Sequence, residues 1–93
     1  MSTAIFRYEV PVDDRWHVIN LSGPVYDVGC RSAGVVEFWA LSQAGPATGR
    51  HFRVYGTGHP LPDRFDYLGT AVAPGGALVW HLVEAPLGVP LDG

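Results

Sequence analysis

The segment Gly56-Thr57-Gly58-His59-Pro60 holds the residues of this chain best suited to gripping something small. Its two glycines leave backbone N–H groups accessible, and a hydroxyl and an imidazole stand beside them. A concave row of such amides can hold a phosphate or a carboxylate. A tight turn needs the same glycines for a different reason, their tolerance of left-handed backbone. No helix follows to add its dipole, and the chain has no lysine to add charge. The segment is neither a P-loop nor a dinucleotide fingerprint. It reads first as a turn. As a second reading, Gly56, Thr57, Gly58 and His59 form a site for a nucleotide or phosphorylated metabolite.

Other chemistry is weakly supported. His17, His51, His59, His81 and Cys30 follow none of the paired spacings of a zinc site, so neither a metal nor another cofactor is implied. Ser22, Ser32 and Ser42 sit at strand ends or turns without a nucleophile elbow around them. Cys30 and Asp27 could be drawn into a triad with a distant histidine, but any small protein permits such a drawing. Asp63 and Asp66 could act as paired carboxylates. Two acids in a proline-rich loop more often only solvate it. No catalytic constellation emerges.

The aromatic content points toward binding. Three Trp, four Tyr and four Phe among 93 residues exceed what a thin core requires. Trp39 and Trp80 fall mid-strand and are expected in the core. Trp16 follows Asp13-Asp14-Arg15, and two readings stand: all three Trp are core, or Trp16 is exposed. An exposed aromatic beside arginine is the composition of a protein-binding hot spot. The contact residues expected on this reading are Trp16, Arg53, Tyr55, His59 and Arg64.

Charge and length bound the rest. The net charge is −3, and all six cationic residues other than histidine are arginines. A phosphate-tracking surface needs clustered cations. Only Arg50 and Arg53 lie close together, and strand alternation sends them to opposite faces, so nucleic acid is not an expected partner. A lone cysteine excludes an intrachain disulfide and fits a reducing compartment. No apolar run approaches the roughly 20 residues of a membrane-spanning helix, and residues 1–9 lack the apolar centre of a signal peptide. The expectation is a cytoplasmic protein without a membrane partner, a monomer or a homodimer paired through an edge strand.

Twelve Gly and eight Pro interrupt the sequence at intervals typical of an all-β domain. Period-two apolarity predicts strands over 3–12, 15–21, 25–31, 35–42, 50–55, 67–73 and 77–84. The strand over 35–42 is apolar on both faces and reads as central. Seven mainly antiparallel strands in a β-sandwich or small open barrel are expected, as one domain over 1–84. Residues 85–93 contain Pro86, Gly88 and Pro90 and read as a loose tail.

The order Phe6-Arg7-Tyr8-Glu9-Val10, Phe38-Trp39-Ala40-Leu41, Arg53 through Pro60, Tyr67-Leu68-Gly69-Thr70 and Leu78-Val79-Trp80-His81-Leu82-Val83-Glu84 resembles a family of small, uncharacterised tailed-phage proteins. The combination of GTGHP, YLGT and VWH carries the resemblance, which runs to Glu84. It implies phage or prophage origin, and the all-arginine cation set resembles the coding of a GC-rich actinobacterial host. By resemblance to mycobacteriophage early proteins, the implied function is non-enzymatic. The protein would bind a host protein and modulate it, in host takeover or superinfection exclusion, with a DivIVA-type polar-growth scaffold as one partner. A minor virion component is the further alternative.

Overall fold

The computed structural model describes residues 3–88 and 91. Its strands are β1 (Ala4–Pro11), β2 (His17–Leu21), β3 (Val25–Ser32), β4 (Val35–Ser42), β5 (Thr48–Gly56), β6 (Asp66–Val72) and β7 (Val79–Glu84). They form two antiparallel sheets, one of three strands in the order β1-β4-β3 and one of four in the order β2-β5-β7-β6. The sheets pack face to face as a sandwich and do not close into a barrel. The seven expected strands are all present, within two residues at either end.

Alternation decides what each strand buries. Tyr8 and Val10 of β1, Val36, Phe38 and Ala40 of β4, Phe52 and Val54 of β5 and Leu82 of β7 meet between the sheets. Phe38 stacks on Tyr8 at 5.2 Å and leans on Phe52 at 4.8 Å between ring centroids, which joins the two layers. β4 is central in its sheet, as its apolar faces suggested, but no further layer covers its outer face. There Glu37 is only 3% exposed because arginines lie over it. Arg31 donates to both carboxylate oxygens at 2.8 and 2.9 Å. Arg7 from β1 donates to the same carboxylate. Trp39, expected in the core, lies on this outer face, where it is half-buried and crosses the bare backbone of Gly29. Trp80 does pack against the core.

The arginines over Glu37, Arg31 first, offset its desolvation and hold its pKa down to about 2, from an ordinary 4.5. The unfolded chain takes up this proton near 4.5, whereas the folded chain keeps the charge to about 2. The resulting stabilisation is complete above that window and is lost as pH falls through it. Glu37→Gln is therefore expected to lower the urea midpoint at pH 7, with the gap from the parent protein closing as pH falls from 4.5 toward 2. A gap that stays constant across that range would remove Glu37 as the source of the acid sensitivity.

Turn chemistry closes the sheets. Pro74 and Gly75 occupy the middle of the β6–β7 turn, where the Gly76 amide donates to Ala73 O at 2.9 Å and Gly75 takes φ +90°. Proline before a left-handed glycine is the pattern of a type II turn. The two sheets come edge to edge where β3 meets β6. There a bulge after Tyr67 brings Gly69 against Val28, so closely that a Cβ at position 69 would lie 2.8 Å from Val28 Cγ2.

The chain after β7 is better anchored than the expected tail. Ala85 is buried, and its amide donates to His51 O at 2.9 Å, extending the β5–β7 ladder by one step. Pro86 and Leu87 line a cavity at the sandwich end. Residues 89, 90, 92 and 93 of the expected tail lie outside the described residues.

Candidate functional site

Pairing register assembles the site on the outer face of the four-stranded sheet. Arg53 and Tyr55 alternate away from Phe52 and Val54, and so point out of the sandwich. Arg53 lies opposite Val83, and Val83 opposite Tyr67. Tyr55 lies opposite His81, and His81 opposite Thr70. The β2–β5 register, carried one residue past His17, places Trp16 beside Arg53. Two cross-strand rows result, Trp16-Arg53-Val83-Tyr67 and Tyr55-His81-Thr70.

The first row centres on a guanidinium held against two rings. Arg53 Cζ stands 4.9 Å from the Tyr55 ring centroid and 6.0 Å from that of Trp16. Both fall within the range where a cation is drawn to an aromatic face. Tyr55 is only 8% exposed and serves as the platform, whereas Trp16 is half-buried at the rim. Asp13 fixes the turn that presents Trp16. Its Oδ1 accepts from the Arg15 amide at 3.1 Å and shares a 2.8 Å hydrogen bond with His17 Nε2. The hydrogen bond to His17 lowers the Asp13 pKa and outweighs the opposing effect of burial.

A small cavity of about 190 Å³ adjoins Tyr55, between the loop over residues 57–65 and the sheet. Gly56, Thr57, Gly58, His59, Leu61, Tyr67 and His81 complete its lining. The GTGH segment is a turn. The His59 amide donates to Gly56 O at 3.1 Å, and Gly58 takes φ +88°. The His59 ring folds back over Gly56, where a Cβ would lie 2.9 Å from its Cε1. That fold-back commits the His59 amide internally. The cavity is also smaller than the ~300–1,000 Å³ of sites that enclose a drug-sized ligand. It suits a compact ligand better than a whole nucleotide.

His81 is fixed at both ring nitrogens. Nε2 shares a 2.9 Å hydrogen bond with Thr57 Oγ1, and Nδ1 shares one of 3.1 Å with Thr70 Oγ1. Tyr67 Oη bonds Thr70 Oγ1 and approaches His81 Nδ1 at 3.5 Å. A hydroxyl and an imidazole in contact can pass a proton. Here a second hydroxyl stands where a catalytic triad carries a carboxylate, so a positive imidazole would lack its stabiliser.

The other expected groups lie apart. Arg64 is exposed on the 57–65 loop, and no hydrogen bond or ion pair among the described residues ties it to the cluster. Cys30 directs its thiol at the carbonyls of Val35 and Ser32, at 3.3 and 3.4 Å. Burial, then the Glu37 carboxylate, pushes that thiol's pKa up, away from nucleophilic use. Among the described residues, no three His, Cys, Asp or Glu side chains converge as metal ligands.

A second cavity, of about 580 Å³, opens at one end of the sandwich beside Arg50, Glu84, Ser22 and Pro86. Arg50 is already engaged at all three guanidinium nitrogens. It donates to Glu84 at 2.6 and 2.8 Å and to Gly23 O at 2.6 Å.

Residues 1–90 match a domain of unknown function, DUF7352. The chain belongs to that family. Comparison with curated proteins and with solved structures found no match. The family description names no ligand or reaction, so the geometry carries the functional reading.

Sequence reasoning picked Trp16, Arg53, Tyr55 and His59, and the fold brings these four together around one row and its adjoining cavity. It missed Tyr67, Thr70 and Leu61, and it weighed His81 only as a metal ligand. The signal was available in part, because alternation in the strand over 77–84 already set His81 opposite Leu82, whereas Thr70 reaches that face only through the bulge after Tyr67.

Proposed function

We propose that this protein is a non-enzymatic binding module that engages another protein through the outer face of its four-stranded sheet. The single observation behind this reading is the Trp16-Arg53-Tyr55 stack. It is a pre-ordered guanidinium on an aromatic platform with an indole at the rim, the composition found at the energetic centre of protein interfaces. Little rotamer freedom remains to be lost on binding, which favours affinity. His59 and Arg64 would border the contact. The resemblance to small tailed-phage proteins supports a partner in the cytoplasm of a bacterial host, a DivIVA-type scaffold among the candidates, and modulation of that partner as the outcome.

The decisive comparison is affinity capture from actinobacterial lysate with the parent protein and with Trp16→Ala as parallel baits. Trp16 is half-buried and off the main core, so the variant is expected to fold, which circular dichroism will check. The parent bait should enrich one host protein at least about tenfold over Trp16→Ala, the factor expected from losing ~1.4 kcal/mol at an aromatic anchor. Equal recovery on both baits would overturn the assignment of this face.

A second reading rests on the adjoining cavity. His59, His81, Thr57 and Tyr67 line a space of about 190 Å³, adequate for a compact ligand with hydrogen-bonding groups. On that reading a bound phosphate or small metabolite raises the unfolding temperature of the parent protein. Saturation at about 100 times the dissociation constant adds ~2.7 kcal/mol.

A further inference from the structure

Arg53 forms no ion pair among the described residues, and unlike Arg15 and Arg64, which also form none, it is half-buried. Arg7 and Arg31 share Glu37, and Arg50 holds Glu84. The buried Nε of Arg53 finds no hydrogen-bond partner. A guanidinium keeps its charge at any working pH, so a half-buried one without an acceptor carries an uncompensated desolvation cost. The surrounding face offers it two aromatic rings but no carboxylate. Its strand positions are Val18 and Asn20 on β2, His51, Arg53 and Tyr55 on β5, Val79, His81 and Val83 on β7, and Tyr67, Thr70 and Val72 on β6. None is acidic. The two acids of this sheet, Asp66 and Glu84, pair with each other in register and face the other way, toward Arg50. Of the acids in the flanking loops, Asp13 is engaged by His17 and the Arg15 amide, and neither Asp14 nor Asp63 forms an ion pair with Arg53.

We infer that the missing counter-charge comes from the partner. The outer face of the four-stranded sheet takes a carboxylate-bearing peptide segment, one of whose Asp or Glu side chains seats on the Arg53 guanidinium between Trp16 and the Tyr55 platform. The inference rests on the protein-binding reading above and adds the chemistry of the partner. A planar fork fits a carboxylate in a way a lysine ammonium does not. A chain of net charge −3 that places one cation on an acid-free, aromatic face is built for local charge complementarity. Tracking a nucleic-acid backbone would need several cations in line.

The test uses the full chain, ¹⁵N-labelled, and an acetylated, amidated hexaglutamate peptide as probe. Hexaglutamine, inorganic phosphate and a ten-residue oligothymidylate serve as comparisons. The readouts are the Arg53 Nε–H and Trp16 indole N–H resonances. Hexaglutamate should shift both saturably, with an affinity that falls several-fold between about 50 mM and 500 mM salt as the charges are screened. Hexaglutamine should shift neither. The Trp16 shift should vanish in Arg53→Gln and weaken in Arg53→Lys, which keeps the charge and loses the fork. If Arg53→Gln does not fold, Arg53→Lys carries the comparison. An unmoved Arg53 resonance with hexaglutamate, or an equal Trp16 response in all three proteins, overturns the inference. A stronger response to phosphate or to the oligonucleotide overturns it in favour of a phosphate-bearing partner. If hexaglutamate fails while a host protein is still captured through Trp16, the protein-binding reading stands and only the acidic partner falls. If both fail, so does the face.

Discussion

Phe38→Ala is expected to cost about 3–5 kcal/mol, the range for emptying a fully enclosed phenylalanine site. Phe38 is 0% exposed and touches both halves of the core, stacking on Tyr8 in its own sheet and on Phe52 across the gap. The loss has two parts. The ring's transfer from water is forfeited, and the space it leaves is bounded by strands whose hydrogen-bonded ladders limit collapse. A domain of this size buries a thin core and holds a margin of only about 5–10 kcal/mol against unfolding. The variant should therefore melt roughly 15–30 °C below the parent, at about 4–8 °C per kcal/mol. Differential scanning calorimetry will check it, and a fall under about 5 °C would mean that Phe38 does not join the two layers. Phe38→Leu, which fills most of the volume, should recover over half of the loss.

Glu84→Gln should be the most damaging single change outside the apolar core, at about 2–4 kcal/mol. Glu84 and Arg50 are 12% and 19% exposed, which sets the value below the ~3–5 kcal/mol typical of a wholly enclosed pair. The substitution conserves shape and removes charge. Arg50 then remains as a cation inside the sandwich end, bonded to the carbonyl of Gly23 and left with Asp66 as its nearby acid. The double variant Arg50→Met with Glu84→Leu removes both charges and should be more stable than Glu84→Gln alone. It will not reach the parent, because Gly23 O loses its donor. Urea unfolding of the parent, the single variants Arg50→Met and Glu84→Leu, and the double variant will give the coupling energy. A double variant less stable than either single one would show that the ion pair is not what these residues contribute.

How much of this could be read beforehand varied with the range of the interaction. Strand positions were legible because they depend on local alternation and on Pro and Gly stops. The same alternation correctly sent Arg50 and Arg53 to opposite faces. What local pattern does not encode is which strands neighbour one another. The placement of β7 between β5 and β6 follows from packing across the whole chain, and it is this placement that brings His81 between Tyr55 and Thr70. Trp39 was misread for a related reason. Its size suggested core, yet on β4 it shares a face with Glu37, and a glycine on the neighbouring strand gives its ring somewhere to lie. The Trp16-Arg53-Tyr55 grouping was chosen from residue type alone. Composition suggested the members, and the pairing register supplied the reason they meet.

The meeting of Gly69 and Val28 at one side of the sandwich has a mechanical outcome. There the backbone of β6 lies against a β3 side chain with no room for a Cβ. Position 69 therefore admits glycine alone, because any side chain there would wedge β6 away from β3.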